Sequence, residues 1–191
     1  MKGKKFALAI FALALVAISA ITATIVYCAT TLSGGGKTTV TYIADGTIKG
    51  TVTAKYQVGE TAEQEWGKIT YAGTEANNDT NTLNKADTTL TKENKYIVYK
   101  FEFVAETDTT ASQGGYKATL SFTDDTEPTK NVDVQVSEDG SAYTPVTDLS
   151  ATIKSVDVTT TQTVYVKVSV TNELNNARFA GEFKWTLTKL A

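Results

Sequence analysis

Three groups of side chains in this 191-residue chain have the types and spacing to do chemistry. Asp124, Asp125 and Glu127 crowd the stretch after Phe122. Close carboxylates suit Ca²⁺, which takes about six to eight oxygen ligands. The stretch lacks the Asp-x-Asp-x-Asp-Gly spacing of a calcium loop, so a solvated turn competes with that reading. Glu60, Glu63 and Glu65 stand just before Trp66. Carboxylates beside an aromatic fit glycoside hydrolysis, which needs a separated acid and base; the competing reading is a polar turn with Trp66 capping a core. Trp66, Tyr71, Tyr42 and Tyr165 could together offer flat apolar area with polar tips to a sugar. Ordinary cross-strand packing would use the same residues. Tyr165 is expected to be the most exposed of the four, because it alternates against Val164 and Val166.

Composition narrows this set. The chain has no histidine and one cysteine, Cys28, inside the N-terminal apolar run. Histidine is the usual general base near neutral pH and the commonest metal ligand. Ser-His-Asp triads, Cys-His pairs and His-based zinc sites are therefore excluded, and the rest of the chain cannot form an internal disulfide. Any metal would rest on carboxylates and carbonyls, which suit calcium or magnesium. No cofactor and no catalysis are expected. Net charge is −3 with no Lys/Arg cluster after Lys5, so nucleic acid is not an expected partner.

Met1 to Lys5 is basic, and Phe6 to Ala29 carries no charge. That run is longer than a signal-peptide core needs and long enough to span a membrane as a helix. The lysines orient it so that the rest of the chain faces outward. Cleavage before Ala29, retention as an anchor, lipidation at Cys28 and pilin-type processing at Gly3 all remain open. Residues 1–29 are thus read as a signal peptide or membrane anchor, residues 30–37 with Ser33-Gly34-Gly35-Gly36 as a flexible spacer, and residues 38–191 as one extracytoplasmic domain. The expected location is secreted or cell surface, with membrane contact only through the N-terminal segment. The chain ends without an LPxTG-type sorting signal.

The domain reads as β throughout. Thr is the most frequent residue and Pro is nearly absent, which fits half-buried pleated strands. Expected strands are Thr38–Ile43, Thr47–Val58, Lys68–Ala72, Tyr96–Ala105, Tyr116–Phe122, Val132–Val136, a return strand with Tyr143 and Val146, Ala151–Val158, a valine ladder at Val164, Val166, Val168 and Val170, and a last strand with Phe179, Gly181, Phe183, Trp185 and Leu187 on one face. Ile97, Tyr99, Phe101 and Phe103 share one face of the clearest central strand. Ser137-Glu138-Asp139-Gly140 is a hairpin turn. Helical turns are expected at 61–66 and 172–178, and 73–95 is expected to be an irregular surface excursion. Nine or ten short strands with polar turns predict an antiparallel β-sandwich, jelly-roll or Ig-like, after an N-terminal hydrophobic helix.

The basic apolar leader, LTKENKYIVYKFEF at Leu90–Phe103 and RFAGEFKWTLTKL at Arg178–Leu190 together resemble the layout of exported Gram-positive β-sandwich surface proteins, in particular the camelysin-like biofilm-fibre group. The resemblance implies a surface protein that forms filaments; no functional residue and no metal motif carries over. The expected function is a non-catalytic surface or matrix protein whose sheet edges add to another copy, with Thr38–Ile43 as the donor. The alternative is an adhesion module that binds surface glycans or proteins, and an enzyme is the remaining class.

Overall fold

A computed structural model describes residues 30–32, 37–43, 48–73, 81–84, 88–90, 94–106, 115–123, 131–171 and 182–190. Thirteen strands run through them: β1 (Thr30–Leu32), β2 (Lys37–Ile43), β3 (Ile48–Val58), β4 (Gln64–Gly73), β5 (Asn81–Asn84), β6 (Thr88–Leu90), β7 (Tyr96–Ala105), β8 (Tyr116–Thr123), β9 (Val132–Ser137), β10 (Thr144–Pro145), β11 (Thr152–Val158), β12 (Thr161–Val170) and β13 (Glu182–Lys189). No helix occurs among the described residues. The apolar run of residues 6–29 and the segment 172–178 lie outside them.

Two sheets pack face to face. One has six strands in the order β10-β9-β12-β7-β3-β4, the other five in the order β11-β8-β13-β2-β5, and β1 pairs with β6 in a small third sheet. The alternation that the sequence displays does the sorting: a side-chain period of two puts every second residue on one face. Ile97, Tyr99, Phe101 and Phe103 of β7 face inward with Val164, Val166 and Val168 of β12. Phe183, Trp185 and Leu187 of β13 oppose them from the other sheet, fully buried. The centre is aromatic. Trp185 meets Phe101 and Phe103 edge-on at 5.2 and 4.6 Å, and Phe183 meets Tyr99 and Phe101 at 4.8 and 5.5 Å. Such T-shaped pairs add about 0.5–1.5 kcal/mol each beyond their buried area.

Several expectations are corrected. Residues 73–95 are not simply irregular, because they carry β5 and β6, and Leu90 is completely buried. The spacer at 30–37 contains β1, whose Thr30–Leu32 pairs with Leu90–Thr88. No helical turn forms at 61–66; β4 starts at Gln64, where the ladder with β3 gains a register shift between Ala54 and Lys55. The return strand of the β9 hairpin is only two residues long. Beyond Pro145 one further backbone bond runs from the Val146 N–H to the Val134 carbonyl at 2.8 Å, so the proline occupies a position whose N–H the pairing does not use. One pair also breaks the antiparallel rule: β2 runs parallel to β13.

Candidate functional site

β2 is a run of Thr and β-branched residues, Lys-Thr-Thr-Val-Thr-Tyr-Ile, with the composition of a strand that pairs on both sides. It lies in the five-stranded sheet with seven register pairs to β13, from Lys37 opposite Glu182 to Ile43 opposite Thr188. β13 is paired on its other side to β8 along its whole length. β2 therefore completes the ladder of the strand that carries Phe183, Trp185 and Leu187. Its far edge is covered by β5 only from Lys37 to Val40; no pair is formed there by Thr41–Ile43 among the described residues. Parallel ladders are slightly weaker per residue than antiparallel ones. β2 is also the first long strand of the chain, and residues 44–47, which include Asp45-Gly46, carry the chain from it to β3 in the opposite sheet. Without β2, β13 would become an edge with a row of unpaired backbone donors and acceptors.

The residues singled out in the sequence do not gather into one site. Trp66 is half-buried against Tyr99 and Phe101 at 5.6 and 6.0 Å, closing the sandwich beside β4. Tyr165 is half-buried on the opposite, outer face of the six-stranded sheet, opposite Lys100 of β7 and Ser137 of β9. Tyr71 pairs with Gly50 in the β3–β4 ladder, and Tyr42 pairs with Leu187 in the other sheet. The glutamates have structural partners. Glu63 bridges Lys55 at 3.1 Å and Lys100 at 3.5 Å, and Glu60 accepts a hydrogen bond from the Tyr96 hydroxyl at 2.5 Å. That bond holds the neutral phenol and pushes the Tyr96 pKa up to about 12. The Lys55 pKa is raised by its hydrogen bond and ion pair with Glu63. Asp124, Asp125 and Glu127 lie outside the described residues. Among the described residues no group of three or more Cys, Asp or Glu is placed to hold a metal ion.

The hairpin turn after β9 is built by its own side chains. Asp139 Oδ1 accepts the N–H groups of Ser141 and Ala142 at 2.8 and 2.9 Å and the Ser137 hydroxyl at 2.8 Å. The Ser137 oxygen in turn accepts the Gly140 N–H at 3.0 Å. These donors, the Ala142 and Ser141 amides first, hold the Asp139 carboxyl far below the usual carboxylate range. The turn sets Tyr143 near β12, where Lys167 Nζ stands 5.5 Å from its ring centroid and 4.4 Å from that of Tyr96. This grouping of Tyr96, Tyr143 and Lys167 was missed in the sequence. Of its members the sequence placed only Tyr143, on the return strand of the hairpin.

No protein-family model matches the chain, and no curated protein matches it significantly.

Proposed function

We propose that this chain is a non-catalytic exported surface or extracellular-matrix protein that assembles by exchange of β2 between copies. The observation that carries the reading is the parallel β2–β13 ladder: an N-terminal strand, tethered by four residues, completes the edge of a core strand. The same seven pairs can form within one chain or between two, so exchange requires no new surface. The basic Met1–Lys5 and the uncharged apolar run of residues 6–29 support export, and the resemblance to biofilm-fibre sandwiches supports a filament as the product. The alternation of β7, β8, β9, β11, β12 and β13 between the two sheets favours the jelly-roll form of the sandwich.

Paired single-cysteine variants test this. In a Cys28→Ser background, chains with Thr39→Cys are mixed with chains carrying Lys184→Cys. These positions are register partners, at a strand spacing within disulfide reach. Exchange predicts a disulfide between the two chain types that rises with concentration and is absent when the second cysteine is moved from Lys184 to Lys154 on β11, which β2 does not pair. Failure of the cross-link at every concentration, with sedimentation as a strict monomer, overturns the proposal.

A further inference from the structure

The two sheets end beside each other at β10 and β11. β10 is two residues long, and its Pro145 turns a nitrogen without hydrogen toward the free edge, because the next residue, Val146, gives its N–H to Val134. β11 is longer. It pairs only with β8 among the described residues, and it exposes Thr152, Ser155 and Asp157. An edge of this length is a template on which another strand can pair.

Two features of β11 oppose such pairing. The ladder with β8 shifts register between Thr152 and Lys154, and a bulge twists an edge strand away from a flat partner. The second feature is a charge on the inner face. Lys154 stands opposite Leu120, a fully buried core residue, so its side chain starts toward the interior of the sandwich. It crosses to the other sheet, where its Nζ pairs with Glu138 Oε1 in the turn after β9. Glu138 Oε2 accepts a hydrogen bond from Gln162 Nε2 of β12 at 3.4 Å, and the Asp139 bonds to Ser141 and Ala142 fix the same turn. The pair borders a gap of about 400 Å³ between the sheets, lined also by Val136, Thr144 and Ile153. Lys49–Glu106 and Lys55–Glu63, by contrast, run along the six-stranded sheet.

Solvent still reaches the pair: the Lys154 side chain is 28% exposed and that of Glu138 50%. A strand added to β11 would extend its sheet over the gap and strip that water away. The lysine would gain no partner in exchange, and burying an ion is costly unless new hydrogen bonds offset the lost hydration. In the single chain the water stays, and the inward charge costs little. The penalty therefore falls on the added strand.

We infer that Lys154 guards this edge: its inward charge keeps β11 from pairing antiparallel with β11 of a second copy. Any strand edge is self-complementary about a two-fold axis, so a second copy is the partner always at hand. Glu138 and Gln162 hold the lysine over the gap. With the charge removed, β11 becomes an additional assembly edge. The inference is independent of strand exchange, because β11 pairs with β8 and not with β2.

The test is hydrogen–deuterium exchange of the full chain, read by mass spectrometry on a peptide spanning Thr152–Val158 at rising protein concentration. Lys154→Met keeps an unbranched stem and removes the charge, Lys154→Arg keeps the charge, and Lys49→Met breaks an ion pair elsewhere as the control. Thermal midpoints confirm folding, and Lys154→Gln, neutral and polar, decides the matter if Lys154→Met does not fold. Expected is exchange in this peptide that slows about tenfold or more from dilute to concentrated Lys154→Met, as new ladder bonds protect its amides. The parent, Lys154→Arg and Lys49→Met should show no dependence on concentration there. Concentration-dependent protection already present in the parent, none in the neutral variant, or the same protection in Lys154→Arg or Lys49→Met overturns the inference.

Discussion

Replacing Trp185 separates packing from hydrogen bonding in this core. The residue is fully buried between Phe101 and Phe103, yet its indole N–H has no hydrogen-bond partner. Trp185→Ala removes the ring and both edge-on pairs, and should destabilise by about 3–5 kcal/mol. That is a large part of the roughly 5–15 kcal/mol that holds a domain together. Trp185→Phe is a different balance. The smaller ring leaves a cavity worth roughly 1 kcal/mol at about 24 cal/mol per Å³, and about 1 kcal/mol more in lost transfer energy. Against this, it removes a buried, unsatisfied donor whose burial costs about 1–3 kcal/mol. The two effects nearly cancel, so Trp185→Phe should lie within about 1 kcal/mol of the parent. Urea unfolding followed by far-ultraviolet circular dichroism gives both values, provided the m-values agree. A Phe variant as unstable as the Ala variant would show that the indole N–H is satisfied after all. An Ala variant that loses under about 1 kcal/mol would show that Trp185 is not in the core.

Two positive-φ glycines should both resist substitution. Gly115 has φ +87°, and a Cβ there would lie 2.2 Å from the Val158 carbonyl oxygen, which is backbone, so Gly115→Ala should cost about 4 kcal/mol or more in urea unfolding. Gly59 has φ +53°, and a Cβ there would lie 1.9 Å from Asn94 Oδ1, which accepts the Glu60 N–H, and 2.7 Å from Asn94 Cβ, which side-chain rotation cannot move, so Gly59→Ala should also cost several kcal/mol, roughly 3 or more. The depressed Asp139 pKa gives stability that is present above the ordinary carboxylate pKa of about 4 and is lost as pH falls through the lower folded value. The stability gap between the parent and Asp139→Ala should therefore shrink on acidification, and a gap that grows refutes the assignment. The raised Tyr96 pKa works in the opposite sense. Its contribution is full below about pH 10 and is lost as pH rises through about 12. Phenolate absorbance should show one tyrosine titrating near 12, and Glu60→Gln should bring it down. Under the proposed exchange, two glycines inserted after Gly46 should change the concentration at which the chain assembles, measured by sedimentation, and an unchanged concentration dependence refutes a role for the tether.

The central strands were legible because burial leaves a mark on their sequence. In β7 and β13 every second residue is large and apolar, and the faces of Phe101 and Trp185 follow directly. What escaped was whatever a strand's own residues do not encode. Alternation is the same whichever strand lies beside it, so nothing in Thr38–Ile43 told that its partner is β13 or that the pair is parallel. β5 and β6 escaped for a different reason. Asn81–Asn84 and Thr88–Leu90 are short and polar, and their strand geometry comes from ladders with β2 and β1. The candidate site follows the same division. Trp66 packs at the core margin as its apolar bulk suggested, whereas the Lys167 cluster draws on three strands whose register only the folded sheet sets. Tyr165 is half-covered because the turn at Gly140 folds back over it, which pattern alone does not reveal.

The position of β2 ties the end of the chain to its beginning in a way that bears on assembly. The ladder to β13 is identical in both arrangements, so its own energy does not decide between closure within a chain and exchange between chains. What decides is the tether. From Ile43 to Ile48 five peptide steps reach at most about 17 Å, and β2 and β3 belong to different sheets. A tether this short confines β2 near its own β13, which raises the effective concentration for closure. It also restricts the approach angles the connection can take without strain, and strain in a short hinge is relieved by exchange. Under the proposed exchange the balance would depend on protein concentration, with closure in dilute solution and exchange where copies are crowded.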